Sequence, residues 1–249
     1  MKTIILVVLI LGYIKSAAQI VNIEDQRATF SDSIAWYEQV SLSANWIDSG
    51  KSILTLLGDA QFEFQYKNKR FLSLTSYTLI RTPDEEFINT GFQHLRYNNK
   101  LNPKLTFEGF LQAQYNQQIQ LKLRGLIGTG LRIKVVEKES GRGHLGISYM
   151  FEYDEESKGG QIHRDSRLST YLALRLKISD TVDFTSTSYF QPLFVDFSDF
   201  RLSSESEAIF KISDRLSFTS TFGITYDSRL PDGVPDVIHR WFNGMKWQF

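Results

Sequence analysis

The chain ends with Val237-Ile-His-Arg-Trp-Phe-Asn-Gly-Met-Lys-Trp-Gln-Phe249, and this stretch decides the fold class. Every second residue counted back from Phe249 is mostly aromatic or apolar, whereas the intervening residues are mostly polar. A period of two is that of a β-strand whose two faces meet different solvents. An amphipathic strand that is rich in large aromatics and ends on phenylalanine is expected to close a bacterial outer-membrane barrel. The alternative is the last strand of a soluble sheet, which would seldom end with two outward tryptophans and a phenylalanine.

The other end of the chain indicates export. An apolar run, Ile4 to Ile14, is followed by Ser16-Ala17-Ala18, which places small residues where a signal peptidase requires them. The run is too short for a membrane-spanning helix, which needs about 20 residues. We therefore predict a removed signal peptide over residues 1–18, a periplasmic lead-in over residues 19–33 and a barrel over residues 34–249.

Composition narrows the class of protein. The chain has no cysteine, which argues against a lipoprotein and against thiol chemistry. Its 28 basic and 28 acidic residues give zero net charge, so nothing indicates a nucleic-acid partner. A mean hydropathy below zero is unusual for a helical membrane protein but normal for a barrel, in which only every second residue meets lipid. If the protein lies in a membrane, only a closed barrel can place it there.

Strand-length segments with a period of two recur from residue 34 to the end of the chain. In the first of them, Trp36 and Trp46 lie ten residues apart on one face. At about 3.3 Å per residue and a tilt near 45°, they are separated by roughly 24 Å across a membrane, close to the ~25 Å band between the aromatic girdles of a barrel. We therefore assign Trp36, Trp46, Tyr226 and Trp241 to these girdles.

Twelve such segments can be counted, and ten or fourteen are open alternatives because boundaries read from pattern shift by about two to four residues. The third and fourth, Arg70 to Ile80 and Phe87 to Asn98, alternate poorly, so we assign no inward face to them. Short and long connections otherwise alternate as in a barrel, except for the short loop Asp48 to Lys51. The predicted fold is all-β, an antiparallel transmembrane β-barrel of about 12 strands with both termini in the periplasm.

The inward positions of the predicted strands carry charges of both signs. The main predicted lumen charges are Glu205, Glu207, Arg124, Arg132 and Arg175. A selective pore would favour one sign along its constriction, so mixed signs favour ion pairs that fill or narrow the lumen. Because unpaired charges in a poorly hydrated lumen are costly, we expect the two glutamates to pair across the lumen with arginines.

The sequence offers no motif for catalysis, metal binding or a cofactor. Resemblance to the outer-membrane phospholipases, which are barrel enzymes of this size, would imply a histidine and a serine two residues apart. None of the four histidines has this serine, because the residues two positions after them are Arg96, Gly146, Asp165 and Trp241. His163 lies among acidic residues in the predicted exposed loop Asp154 to Asp165. An acidic surface loop explains this composition more simply than a cation site. The glycine cluster Gly125 to Gly130 continues as a strand and does not open a helix, so it is not a nucleotide-binding loop.

Three short motifs resemble one family. They are the predicted mature start Gln19-Ile-Val-Asn-Ile-Glu24, the segment Tyr226-Asp-Ser-Arg229 with the prolines and glycine after it, and the end from Asn243-Gly244 to Phe249. They resemble domain of unknown function 481, in the version found in Bacteroidetes, whose members are labelled salt-induced outer-membrane proteins. Members often have a Gly-Asn pair in the first outward hairpin, whereas here Lys51 follows Gly50. The resemblance implies an outer-membrane barrel without an established activity, so no functional residue can be carried over.

The sequence therefore predicts a monomeric, non-enzymatic barrel in the bacterial outer membrane, either a narrow channel or a structural component of the envelope. Its expected partners are outer-membrane lipid and, during assembly, the outer-membrane insertion machinery, for which Phe249 and Trp247 form the recognition signal. A lipid-modifying outer-membrane enzyme is the alternative from another functional class. A soluble periplasmic β-sandwich would leave the tryptophan girdles unexplained.

Overall fold

The structure, a computed structural model, describes residues 34–231 and 233–247. The predicted signal peptide, the predicted lead-in and the terminal Phe249 lie outside these residues. No helix in the described part is long and apolar enough to cross a membrane. The strands are β1 (Ile34–Asp48), β2 (Ser52–Tyr66), β3 (Lys69–Arg81), β4 (Glu86–Lys100), β5 (Leu105–Asn116), β6 (Leu121–Lys138), β7 (Gly141–Glu156), β8 (Ile162–Lys177), β9 (Val182–Pro192), β10 (Phe200–Lys211), β11 (Leu216–Asp227) and β12 (Val237–Trp247).

The strands form one sheet in chain order, and each strand pairs antiparallel with its neighbours in the sequence. This confirms the predicted all-β antiparallel class and the count of twelve. The sheet curls strongly, because side chains three strands apart meet on its inward face: Arg201 of β10 bonds to Glu152 of β7, and Tyr171 of β8 reaches Glu108 of β5. Within the described residues, the ladder runs from β1 to β12 without pairing between these two end strands.

The two ends of the barrel carry different connections. The end that holds the β1–β2 connection, here called the loop end, carries the longest ones, residues 193–199 and 228–236. The opposite end, called the turn end, is closed by short links such as residues 67–68 and 139–140. This alternation agrees with the prediction from the sequence. The predicted loop from Asp154 to Asp165 is too long, because β7 and β8 continue to Glu156 and from Ile162.

The poor alternation of the third and fourth strands has a physical cause. Leu72 and Leu74 of β3 and Phe92 of β4 pack together on the inward face as a small apolar cluster. Their outward neighbours Phe71 and Leu95 are apolar as well. Since both faces of these strands carry large apolar residues, the period of two disappears from the sequence although the strands are regular.

Candidate functional site

The inward face near the loop end holds a group of mutually contacting charged side chains, which we call the arginine–carboxylate cluster. Its members come from five strands and from two connections at the loop end. They are Arg124, Arg167, Arg201, Arg229, Glu152, Asp154, Asp165, Asp199 and Asp227.

Arg201 lies at the centre of the cluster. Its Nε donates to Asp227 of β11 at 2.8 Å, its Nη2 donates to Asp154 of β7 at 3.0 Å, and its Nη1 donates to Glu152. The side chain is only 3% exposed. Two of its carboxylate partners lie on β7 and the third lies on β11. This one guanidinium on β10 therefore connects strands from β7 to β11 across the interior.

Two further arginines complete the buried part of the cluster. Arg124 donates two hydrogen bonds to Asp154, from Nε at 2.7 Å and from Nη2 at 2.6 Å. Arg167 is fully buried and lies 3.4 Å from Glu152 and 2.9 Å from Asp199. Paired, forked contacts of this kind are the geometry in which buried charges are tolerated, whereas removal of one partner leaves an uncompensated charge.

Arg229 connects the long β11–β12 loop to the cluster. It contacts Asp165 of β8 and lies 3.1 Å from Asp199. Burial acts to lower the pKa of Arg229, but the hydrogen bond to Asp165 and the charges of both carboxylates outweigh it, so that its pKa lies above its ordinary value. The next residues, Leu230 and Pro231, line a cavity of only about 30 Å³ over the cluster. Leu230 and Pro231 therefore lie close over the cluster.

A second polar network lies deeper in the interior, around Glu108 of β5. The Tyr171 hydroxyl donates to Glu108 at 2.7 Å, Asn98 donates to it at 2.6 Å, and Arg96 lies 3.6 Å from it. Arg132 of β6 donates to the Tyr171 hydroxyl at 3.1 Å. This Glu108 network thus joins β4, β5, β6 and β8 below the arginine–carboxylate cluster.

His94 of β4 is held at the edge of the Glu108 network. Its Nε2 lies 3.3 Å from Nε of Arg96, and its Nδ1 lies 3.0 Å from the side-chain oxygen of Gln112. A guanidinium can only donate, so Nε2 must accept and Nδ1 must carry the proton. His94 is therefore a neutral, 1% exposed structural residue with both ring nitrogens engaged.

The other three histidines lie apart from one another. His163 belongs to β8, which corrects its predicted position in an exposed loop, and its Nε2 lies 3.3 Å from Glu156. His144 is inward near the turn end, and His239 faces outward on β12. Among the residues that the structure describes, no group of three or more His, Cys, Asp or Glu could hold a metal ion.

The five predicted lumen charges occupy inward positions of the ladder but do not form one group. Arg124 belongs to the arginine–carboxylate cluster and Arg132 to the Glu108 network, while Arg175 is exposed. The contacts described for the two glutamates lie on the nearby strands β11 and β12. Glu205 lies 3.4 Å from Arg240 of β12, and Glu207 accepts from Thr221 at 3.1 Å.

Gly223 explains the partner of Glu205. It stands between Glu205 and Arg240 in the ladder, and a Cβ there would lie 3.2 Å from Nη2 of Arg240. The missing side chain lets the arginine cross β11 to the glutamate. Among the contacts described, those that reach across three strands of the interior include Glu152, Asp154 and Glu108, which the sequence did not single out as cross-lumen partners.

The predicted girdle residues occupy the outward face. Trp36, Trp46, Trp241 and Trp247 are 63%, 69%, 70% and 57% exposed. Trp36 packs against Phe64 with ring centroids 4.3 Å apart, and Tyr226 packs against Phe200 at 5.2 Å.

Several central residues of the two networks escaped the sequence analysis. Arg201 and Glu205 are four residues apart on β10 and so lie on the same, inward face. The period of two in β10 is therefore enough to predict that Arg201 faces inward. Asp154 and Asp165 were missed because the charged segment between them looked like a loop. Arg167 and Tyr171 carry the inward parity of β8, but nothing local indicates which carboxylates they reach.

Comparison with known proteins gives one family and two distant structural similarities. The model of the family described as "Protein of unknown function, DUF481" matches residues 54–237. No curated protein matches the chain. A structure described as "NanC porin structure in rhombohedral crystal form" is similar with a TM-score of 0.49 and 10% identity, covering 86% of this chain and 99% of that chain. Pseudomonas aeruginosa OccK11 (OpdR) is similar with a TM-score of 0.35 and 9% identity, covering 80% and 76%.

Proposed function

Because this chain belongs to the DUF481 family of proteins of unknown function, we propose from its own geometry that it is a non-enzymatic β-barrel of the bacterial outer membrane with a narrow, poorly conducting interior. Such a barrel serves as a structural component of the envelope or as a narrow channel. The observation that carries the proposal is the bridge made by Arg201 across the interior, under a loop that Arg229 pins in place.

The outward surface supports the membrane location. Large apolar side chains are well exposed along it, among them Leu42, Trp46, Leu111 and Ile127, at 83%, 69%, 50% and 56%. A soluble protein rarely exposes so extended an apolar surface, whereas a barrel presents it to lipid.

The interior supports low conductance. Arg167, Glu152 and Asp227 are at most 1% exposed, so water has little access to the buried part of the cluster. Charges buried in this way are stabilised by one another, and moving one of them to admit a solute would leave the others unpaired at a cost of about 3–5 kcal/mol. A selective pore would instead hold a ring of one sign in contact with water.

The burial of His94 is consistent with a non-enzymatic role. A lipid-modifying enzyme needs an accessible general base near a membrane interface. His94 is 1% exposed and has both ring nitrogens engaged, so it lacks that access.

Liposome swelling tests the proposal directly. Liposomes that contain the purified wild-type protein should swell slowly in small uncharged sugars, while Arg229→Gln should speed swelling because the β11–β12 loop loses its contacts with Asp165 and Asp199. Lys122→Gln is a matched control, since Lys122 is also paired with a carboxylate at the loop end but lies outside the cluster. Fast swelling by the wild-type protein would contradict the proposal.

A further inference from the structure

The outward face carries a groove between β4 and β7, which we call the outer groove. It has a volume of about 370 Å³. Its floor is Ala113 of β5 and Gly125 of β6. Its walls are formed by the larger outward side chains Leu95, Leu111, Ile127, Phe151 and Tyr153.

The groove follows from the register of the sheet. Gln93, Ala113, Gly125 and Tyr153 stand directly opposite one another on successive strands, so two small residues lie side by side in one row. A Cβ added at Gly125 would have nothing within 4 Å. The depression is therefore open space on the outward face.

The two ends of this row are polar. At one end, Tyr153 is paired in the ladder with Arg164 of β8, an exposed residue whose guanidinium carbon lies 5.8 Å from the centre of the tyrosine ring. At the other end, Gln93 accepts a hydrogen bond from Thr75 at 2.6 Å. An apolar groove with a cation at its rim matches a molecule that has an apolar chain and an anionic head.

The groove also lies at a defined depth. Ala113 and Tyr153 are three residues from the loop ends of β5 and β7. At about 3.3 Å per residue and a tilt near 45°, this corresponds to roughly 7 Å below the strand ends. A lipid with its head group at the interface would have its first methylene groups at this level.

We propose that the outer groove binds an acyl chain of the phosphorylated glycolipid of the outer leaflet, with a phosphate of that lipid on Arg164. The proposal rests on the outer-membrane location proposed above. A phosphate fits the rim because a guanidinium binds it through two parallel hydrogen bonds. A position at the loop end selects the outer leaflet as the source of the lipid, since the predicted topology places the loop end outside the cell.

Native mass spectrometry of detergent-purified protein with added diphosphorylated lipid A tests the site. Gly125→Leu should abolish most lipid retention, because the new side chain fills the groove without a backbone clash. Arg164→Gln should weaken retention about fivefold, which corresponds to roughly 1 kcal/mol for one cation near a lipid phosphate. The loss on Arg164→Gln should be absent with lipid A that lacks phosphate.

Gly109→Leu is the matched control. Gly109 also faces outward on β5 but outside the groove, and a Cβ there would make an ordinary contact of 3.9 Å with Phe107. Wild-type retention in Gly125→Leu, or an equal loss in Gly109→Leu, would overturn the proposal. It would be overturned equally if phosphatidylglycerol were retained as well as lipid A, or if Gly125→Leu changed the oligomeric state and left lipid retention intact.

The same samples separate this proposal from the proposed function. Heat-modifiable migration and fractionation with the outer membrane report the barrel and its location independently of lipid retention. A folded outer-membrane protein without selective lipid retention would refute the groove site alone. A protein that is soluble without detergent would refute the proposed location.

Discussion

The hydroxyl of Tyr171 on β8 donates a 2.7 Å hydrogen bond to Glu108 on β5, three strands away across the interior. A second, independent span connects Arg201 with Glu152 nearer the loop end. The interior is therefore braced at two levels. At both levels the polar groups contact each other and are shielded from water, since Glu108, Tyr171, Arg201 and Glu152 are all buried.

Replacing Tyr171 by Phe should destabilise the barrel modestly. Glu108 would lose the hydrogen bond that it accepts from the hydroxyl, and Arg132 would lose the one that it donates to it. Loss of a hydrogen-bond partner in a buried site typically costs about 1–3 kcal/mol. Urea unfolding of the protein in lipid vesicles, followed by tryptophan fluorescence, measures the change. Tyr149→Phe is the control, because its hydroxyl bonds only to Ser166 among the contacts described and faces outward. A larger loss for the control would contradict the bracing role.

The effects of mutations in the arginine–carboxylate cluster on the free energy of unfolding should be strongly coupled. Glu152→Gln leaves Arg167 and Arg201 with one carboxylate fewer in a buried site, and we expect a loss of roughly 3–5 kcal/mol. Combining it with Arg201→Met should cost much less than the sum of the single changes, since the second change removes the uncompensated charge. Additive losses in the urea unfolding of the two single variants and the double variant would show that the two residues do not act together.

Adjacent residues of β1 test which face meets lipid. Leu42 faces outward near the middle of the strand, whereas Ser41 faces inward and is exposed. Leu42→Arg should cost about 2–4 kcal/mol for a charge at the middle of the bilayer. Ser41→Arg should cost far less because it points toward the interior. Equal costs in lipid vesicles would mean that β1 has no lipid-facing side.

The end strands should meet in the membrane. Unpaired backbone groups in hydrocarbon each cost several kcal/mol, so β1 and β12 are expected to close the barrel by antiparallel pairing. If the outward Trp36 and Trp247 lie at one level at the turn end, Ser41 faces Phe242 on the inward side. Because the chain has no cysteine, the double variant Ser41→Cys with Phe242→Cys should form an intramolecular disulfide in membranes. The pair Ser41→Cys with Trp241→Cys, on opposite faces, should not, and an equal yield from both pairs would contradict this register.

The sequence predicts the parts of the fold in which the two faces of a strand differ. In β12 the outward tryptophans alternate with inward polar residues, so strand, parity and position could be read directly. In β3 the inward Leu72 and Leu74 hide the period, because the interior there is apolar. The link between Arg201 and Glu152 could not be predicted, since it depends on how far the sheet curls, and no local pattern encodes that curvature.

The single-channel conductance of the purified wild-type protein in planar lipid bilayers tests the central claim most directly. With Arg201 bridging the interior and the Arg229 loop covering it, we predict rare, small current steps, well below those of a general porin measured in the same salt. Arg229→Gln should raise the frequency or the size of the steps. Large, stable steps from the wild-type protein, unchanged in Arg229→Gln, would contradict a closed interior and would favour an open channel.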